Sequence, residues 1–195
     1  MERAYLNFDP AFPHKYSIET EVCLPACPGS VPVYYYPGAS KVGGRHGIWL
    51  EITAENGMPW IGVFASDSWR GVSGIYSCPD GKSLCVVSIG LGYIVRTDAP
   101  ESWHGIAPPI REVKPLPELG LLVFRDDTSL FAYGRDGLEW TTERIALDKL
   151  TIDTVEGHML RGQALVDGMS REDDYVKWVD YQVDLLTGKH SGGLS

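Results

Sequence analysis

Two short segments of the chain combine side chains able to recognise a ligand or move a proton. They are Asp67-Ser68-Trp69-Arg70-Gly71 and Glu101-Ser102-Trp103-His104-Gly105, each running acidic, Ser, Trp, basic, Gly. Aromatic and cationic side chains held together in loops offer stacking area and hydrogen-bond donors, so Trp69, Arg70, Trp103 and His104 are the candidate binding residues. The same residues also fit a purely structural role, in which each Trp packs between sheets and each acidic residue pairs with its basic neighbour. His104 with Asp98 or Glu101 is a candidate acid–base pair for a hydrolase or lyase, with Ser102 as a nominal nucleophile. Nucleophilic catalysis needs a nucleophile, a base and an orienting group in one geometry. The chain has no Gly-x-Ser-x-Gly elbow, and no catalytic residue is assigned.

Metal and nucleotide chemistry have weaker anchors. The histidines at 14, 46, 104, 158 and 190 show neither His-x-His nor His-Glu-x-x-His spacing, and no metal site is assigned. Cys23 and Cys27, spaced C-x3-C, could join Cys78 and Cys85 in a zinc site only if the fold brought the two pairs together, which leaves a zinc-binding protein as an alternative. Cys78 and Cys85 flank the turn Pro79-Asp80-Gly81-Lys82. In a hairpin they would face different neighbours, so they read as reduced core thiols. Glu172-Asp173-Asp174 lacks the patterned Asp/Asn-Gly spacing of a calcium loop and reads as solvated. No phosphate-cradling or dinucleotide-binding glycine motif precedes a helix, so no cofactor is expected.

Composition narrows the class. The chain of 195 residues is 44% hydrophobic and 22% charged, as in an ordinary globular protein, and its 22 Gly and 13 Pro are turn formers in excess of what helices use. A formal charge of −9 repels phosphate, which argues against nucleic acid and anionic membrane as partners. The longest apolar stretch, Ser83 to Val95, is short and Gly-rich for a bilayer span, and the first residues lack the apolar core of a signal peptide. A cytoplasmic location is the expectation.

These residues must be positioned by strands. Alternating or continuous apolar runs predict strands over Ile18–Leu24, Val31–Tyr36, Gly47–Ala54, Trp60–Ala65, Gly74–Cys78, Ser83–Ile89 and Gly92–Thr97. Further strands are predicted over Ile110–Leu116, Gly120–Arg125, Ser129–Gly134, Leu138–Thr142, Leu150–Val155, Met159–Val166 and Tyr175–Leu185. Only Glu143 to Leu150 carries a helical pattern, with Ala146, Leu147 and Leu150 on one face. Val179, Tyr181, Val183 and Leu185 alternate with Asp180, Gln182 and Asp184, so that strand has one wet face. After Thr187-Gly188 the chain ends too early for a full return strand.

The stretch from Gly74 through Asp80 and Ser83 to Val87 is echoed at a constant offset from Gly120 through Asp126 and Ser129 to Tyr133. A repeat of about 46 residues marks a supersecondary unit that stacks with its neighbours, and four such units would fill nearly the whole chain. The fold class expected is therefore all-β, a single domain over 1–195, with propeller-like stacked antiparallel sheets. The alternative is a β-sandwich of short strands.

Leu119 to Trp140, with its apolar strand, Leu130-Phe131-Ala132, Asp136-Gly137 and terminal Trp, resembles a repeat of the quinoprotein (PQQ-type) β-propellers. Asp184-Leu185-Leu186-Thr187-Gly188 is similar to the Asp-x-x-Thr-Gly turn of those repeats. The chain as a whole is also similar to a group of bacterial proteins of about this length with no established activity. The resemblance implies blade-like β-structure. It carries over no catalytic residue, and because quinoprotein dehydrogenases need a larger ring of blades, it implies no PQQ. The function these readings favour is a non-enzymatic interaction module for a protein or small-molecule partner.

Overall fold

A computed structural model describes residues 6–20, 31–38, 47–66, 71–106, 109–168 and 176–194. The chain divides into two compact units, Met1–Ile110 and Arg111–Ser195. It is all-β, and among the described residues no helix is long and apolar enough to cross a membrane.

The first unit holds β1 (Phe8–Asp9), β2 (Ser17–Glu19), β3 (Val33–Tyr36), β4 (Gly47–Thr53), β5 (Pro59–Ala65), β6 (Gly74–Ser77), β7 (Ser83–Ser88), β8 (Leu91–Arg96) and β9 (Ala99–Ile106). They form two sheets, ordered β1-β6-β7-β8-β9 and β2-β4-β5-β3. Period-two burial explains how the sheets meet. On β4, Ile48, Leu50 and Ile52 are buried while Trp49, Glu51 and Thr53 alternate with them, and the buried set joins Ile75, Leu84, Val86, Tyr93 and Val95 of the facing sheet in one core. Two sheets over one core fit a β-sandwich of short strands.

Aromatic residues fill the middle of that core and also fasten its sheets. The Trp60 indole donates to the Thr97 carbonyl, the Tyr36 hydroxyl to Pro100, and the Tyr93 hydroxyl to Ala65. Each ring is thus packed while its polar end is satisfied by the backbone of the opposite sheet.

The second unit holds β10 (Glu112–Leu116), β11 (Leu121–Arg125), β12 (Leu130–Gly134), β13 (Gly137–Thr141), β14 (Thr154–Glu156), β15 (Met159–Gly168), β16 (Val176–Asp184) and β17 (His190–Gly192). Two antiparallel sheets, β10-β11-β12-β13 and β14-β15-β16-β17, enclose a core that includes Val123, Leu130, Trp140, Ile145, Leu160 and Val183. The Trp140 indole donates to the Leu185 carbonyl, again from one sheet to the other. On β16, Tyr181 and Val183 are buried while Asp180 and Gln182 are exposed, the one-wet-face alternation expected for this strand.

Two turns are built alike. At the β6–β7 turn, Asp80 Oδ1 accepts the amides of Lys82 and Ser83, and Oδ2 accepts the Ser83 hydroxyl. At the β11–β12 turn, Asp126 Oδ1 accepts the amides of Thr128 and Ser129, and Oδ2 accepts the Ser129 hydroxyl. The carbonyl two residues beyond each Asp then receives two donors from a later segment: Lys82 from the amide and hydroxyl of Thr97, Thr128 from the amides of Ile145 and Ala146.

Several expectations are corrected. The segment from Glu143 to Leu150 forms no helix; its Ile145, Ala146 and Leu147 amides donate to Thr128 and Leu165, because burying Ile145 and Ala146 in the core puts their backbone against neighbouring chain rather than in a helical ladder. After Thr187-Gly188, whose amides donate to the Asp184 carbonyl, the chain turns back onto β16 only as the three-residue β17, short of a full return strand. The sheets are not purely antiparallel: β1 pairs parallel with β6 and β3 with β5, on connections long enough for such crossovers. Residues 99–106, read as loop, form β9.

Cys78 and Cys85 are free and buried, with Cys85 opposite Tyr76 and the Cys78 amide donating to Ser83. Burial pushes both thiols well above the ordinary cysteine range. Alkylation by iodoacetamide at pH 8, read residue by residue by peptide mass mapping, is expected to spare Cys78 and Cys85 in the native protein and label them in denaturant. Native labelling at the unfolded rate would contradict their burial.

Candidate functional site

The first unit contains a cleft of about 780 Å³, within the range typical of small-molecule sites. One wall comes from the start of β4 and the end of β5, at Gly47, Ile48 and Ser66. The other comes from the start of β6 and the end of β7, at Ser73, Tyr76, Ser88 and Ile89, while the chain leading into β1 adds Leu6 and Asn7 and β1 itself adds Asp9.

The lip is a strained turn. Ile89 and Gly90 are the two central residues between β7 and β8, closed by the pair Ser88 and Leu91, and both have positive φ, 47° and 84°. A two-residue hairpin turn of this hand matches strand twist but wants Asn-Gly or Gly-Gly, and a β-branched residue there costs on the order of 1–3 kcal/mol. The surroundings hold it in place. The Ile89 amide donates to Ser73 Oγ at 3.0 Å, the Gly90 amide to Val72, and the Ile110 amide to Gly90. Gly71 lies so close that a Cβ on it would stand 2.3 Å from the Gly90 Cα, so glycine is required at this approach. The outcome is an isoleucine 42% exposed at the mouth of the cleft.

Deeper in, Ser88 is 1% exposed. Its hydroxyl has no hydrogen-bond partner among the described residues, and no fully enclosed side-chain polar atom lacks one among them; Ser88 lines the cleft. The Asp9 carboxylate, half-buried, likewise makes no hydrogen bond or ion pair among the described residues; only its backbone carbonyl is used, by Ser77 Oγ.

The residues singled out by sequence are placed differently. Trp69 and Arg70 lie outside the described residues, in the segment that follows cleft-lining Ser66. Trp103 is half-buried, its ring 5.5 Å from Tyr36 and 6.3 Å from Tyr93, packed on the aromatic core. His104 is the next residue of β9, so it points to the opposite face and is exposed; it shares no recognition face with Trp103. Partial desolvation holds the His104 imidazole below its ordinary value. Asp98 is bound by Arg96, at 2.9 and 2.6 Å, and this ion pair keeps its carboxyl below the usual range. Cys23, Cys27 and Glu172-Asp173-Asp174 lie outside the described residues, and among the described ones no group of three or more His, Cys, Asp or Glu could hold a metal ion.

Sequence reasoning missed Asp9, Tyr76, Ser88 and Ile89. One signal was present: Ile89-Gly90 separates two apolar strands by the length of a tight hairpin turn, and only Ile is out of place in it.

A second cleft, about 420 Å³, lies on the β14–β17 sheet. Polar side chains at or beside it are tied to one another, Arg161 to Glu156, Gln163 to Asp180 and Gln182 to Ser191, which leaves less bonding capacity for a ligand.

No protein-family model matches the chain, and no curated protein matches it.

Proposed function

We propose that this chain is a non-enzymatic binding module whose first unit takes a small-molecule ligand in the cleft beneath Ile89. The observation that carries the reading is the strained, clamped turn at Ile89. Backbone strain persists where surrounding structure over-determines it, and such positions cluster at ligand clamps. Here the strain presents an apolar side chain at the mouth of a cleft whose wall holds the unspent Ser88 hydroxyl. Trp69 and Arg70 lie outside the described residues, and the proposal does not rest on them. Trp103 belongs to the support of the site through Tyr36 and Tyr93. A cytoplasmic, repeat-built scaffold agrees with this role, the like-built turns at Asp80 and Asp126 being its repeated element.

The test is a fragment library of cationic, neutral and anionic compounds screened by amide chemical-shift perturbation on the whole chain. Hits are expected to move Ser66, Ser73, Ser88 and Ile89 together; a library whose hits all map elsewhere, or that yields none, overturns the proposal. Ile89→Asn supplies the second arm. It restores the favoured Asn-Gly turn and should raise stability by about 1 kcal/mol, while removing the apolar lip and weakening the hits. A variant that binds as well as the parent shows that the lip is not a contact.

A further inference from the structure

We infer that the cleft selects a small ammonium cation carried on a compact apolar body, an inference that rests on the cleft being a ligand site. Two groups on its lining have bonding capacity that is not used among the described residues: the Asp9 carboxylate and the Ser88 hydroxyl. An ionised carboxylate only accepts, and a hydroxyl accepts twice for each proton it donates. Ser73 Oγ already accepts the Ile89 amide, and Asn7 brings two donors alongside its acceptor oxygen, so the surplus on the described lining comes from the Asp9 carboxylate. The lining is therefore richer in acceptors than in donors.

An ammonium group brings three donors and no acceptor, the complement of such a surface. Asp9 is the charged side chain among the described lining residues, and its charge attracts a cation. The chain's formal charge of −9 reinforces it at longer range. Leu6, Ile48 and Ile89 supply the apolar part of the same lining. A ligand with a cationic head and an apolar body uses both halves; a polyol leaves the apolar half idle, and an anion meets Asp9.

Three probes that share a phenylethyl body separate these cases: 2-phenylethylamine, 2-phenylethanol and 3-phenylpropanoate, titrated into the whole chain and followed by amide chemical shifts. The amine is expected to shift Asp9, Tyr76, Ser88 and Ile89 and to bind at least about tenfold tighter than the alcohol, with the anion weaker still. Asp9→Asn should bring the amine down to the affinity of the alcohol and leave the alcohol unchanged. The Asp9 side chain ties down nothing among the described residues, so this variant is expected to fold, which its melting temperature checks. Ser88→Ala should weaken the amine without abolishing its preference over the alcohol. If the alcohol or the anion binds at the cleft as tightly as the amine, the cation inference is overturned while the binding module stands. If none of the three moves the cleft residues the inference is also overturned, and the module falls with it only when the broader library fails too.

Discussion

Phe64→Ala is expected to lower the unfolding free energy of the first unit by about 3–5 kcal/mol, the range for deleting a buried aromatic ring. Phe64 is fully buried, stacked on Tyr36 with ring centroids 4.8 Å apart and planes 14° from parallel, and 5.7 Å from Tyr93. Those two neighbours are themselves fixed at their hydroxyls, to Pro100 and Ala65, so they cannot collapse into the space without breaking bonds between the sheets. The cavity term therefore adds fully to the transfer term. A Cβ at Gly62 would stand 2.6 Å from the Phe64 ring, which shows how closely backbone is packed under it. Urea unfolding followed by tryptophan fluorescence checks the expectation, with Leu138→Ala as the control, since Leu138 is 57% exposed and should change stability by less than about 0.5 kcal/mol. A Phe64 cost under about 1 kcal/mol would mean that the aromatic core is not packed as described.

Strand positions were legible because burial on one or both faces writes itself into the sequence with period two. Leu50, Ile52, Tyr181 and Val183 could be placed inward from their alternation, and β7 could be read as covered on both faces from its unbroken apolar run. What misled was the short or polar strand. β9 contains Pro100, Glu101, Ser102, His104 and Gly105, a composition typical of loops, and it becomes a strand because β8 offers a hydrogen-bonding edge. Its Trp103 could not be assigned to core or surface from its neighbours, since that depends on Tyr36 and Tyr93 arriving from distant parts of the chain. The helical pattern at Ala146, Leu147 and Leu150 was real as a pattern but lost to tertiary context: the Thr128 carbonyl takes the Ile145 and Ala146 amides. The candidate site was the least legible, because Asp9, Ser66, Ser73 and Ser88 are individually unremarkable residues whose meaning comes from lining one cleft.

The Asp80 and Asp126 turns show how much of this architecture rests on a single side chain, and replacing either Asp by Ala is expected to cost about 2–3 kcal/mol. Each carboxylate accepts two backbone amides and one Ser hydroxyl, that of Asp126 also the Thr128 hydroxyl, and bonds to an ionised group are worth more than neutral ones. Loss of the carboxylate also frees the carbonyls of Lys82 and Thr128 to drift, and these hold Thr97 in one unit and Ile145 with Ala146 in the other. Asp→Asn separates the two contributions. The amide oxygen still accepts both backbone N–H groups, so Asn should recover more than half of the loss, and what remains reports the lost charge together with the altered bond to the Ser83 or Ser129 hydroxyl. Denaturant unfolding of the four variants, with amide hydrogen exchange at Thr97, Ile145 and Ala146, measures both parts: Asp80→Ala should speed exchange at Thr97, and Asp126→Ala at Ile145 and Ala146. If Asn proves no better than Ala, the backbone amides are not what the carboxylate holds. If exchange at these amides is unchanged, the turns do not anchor the later segments.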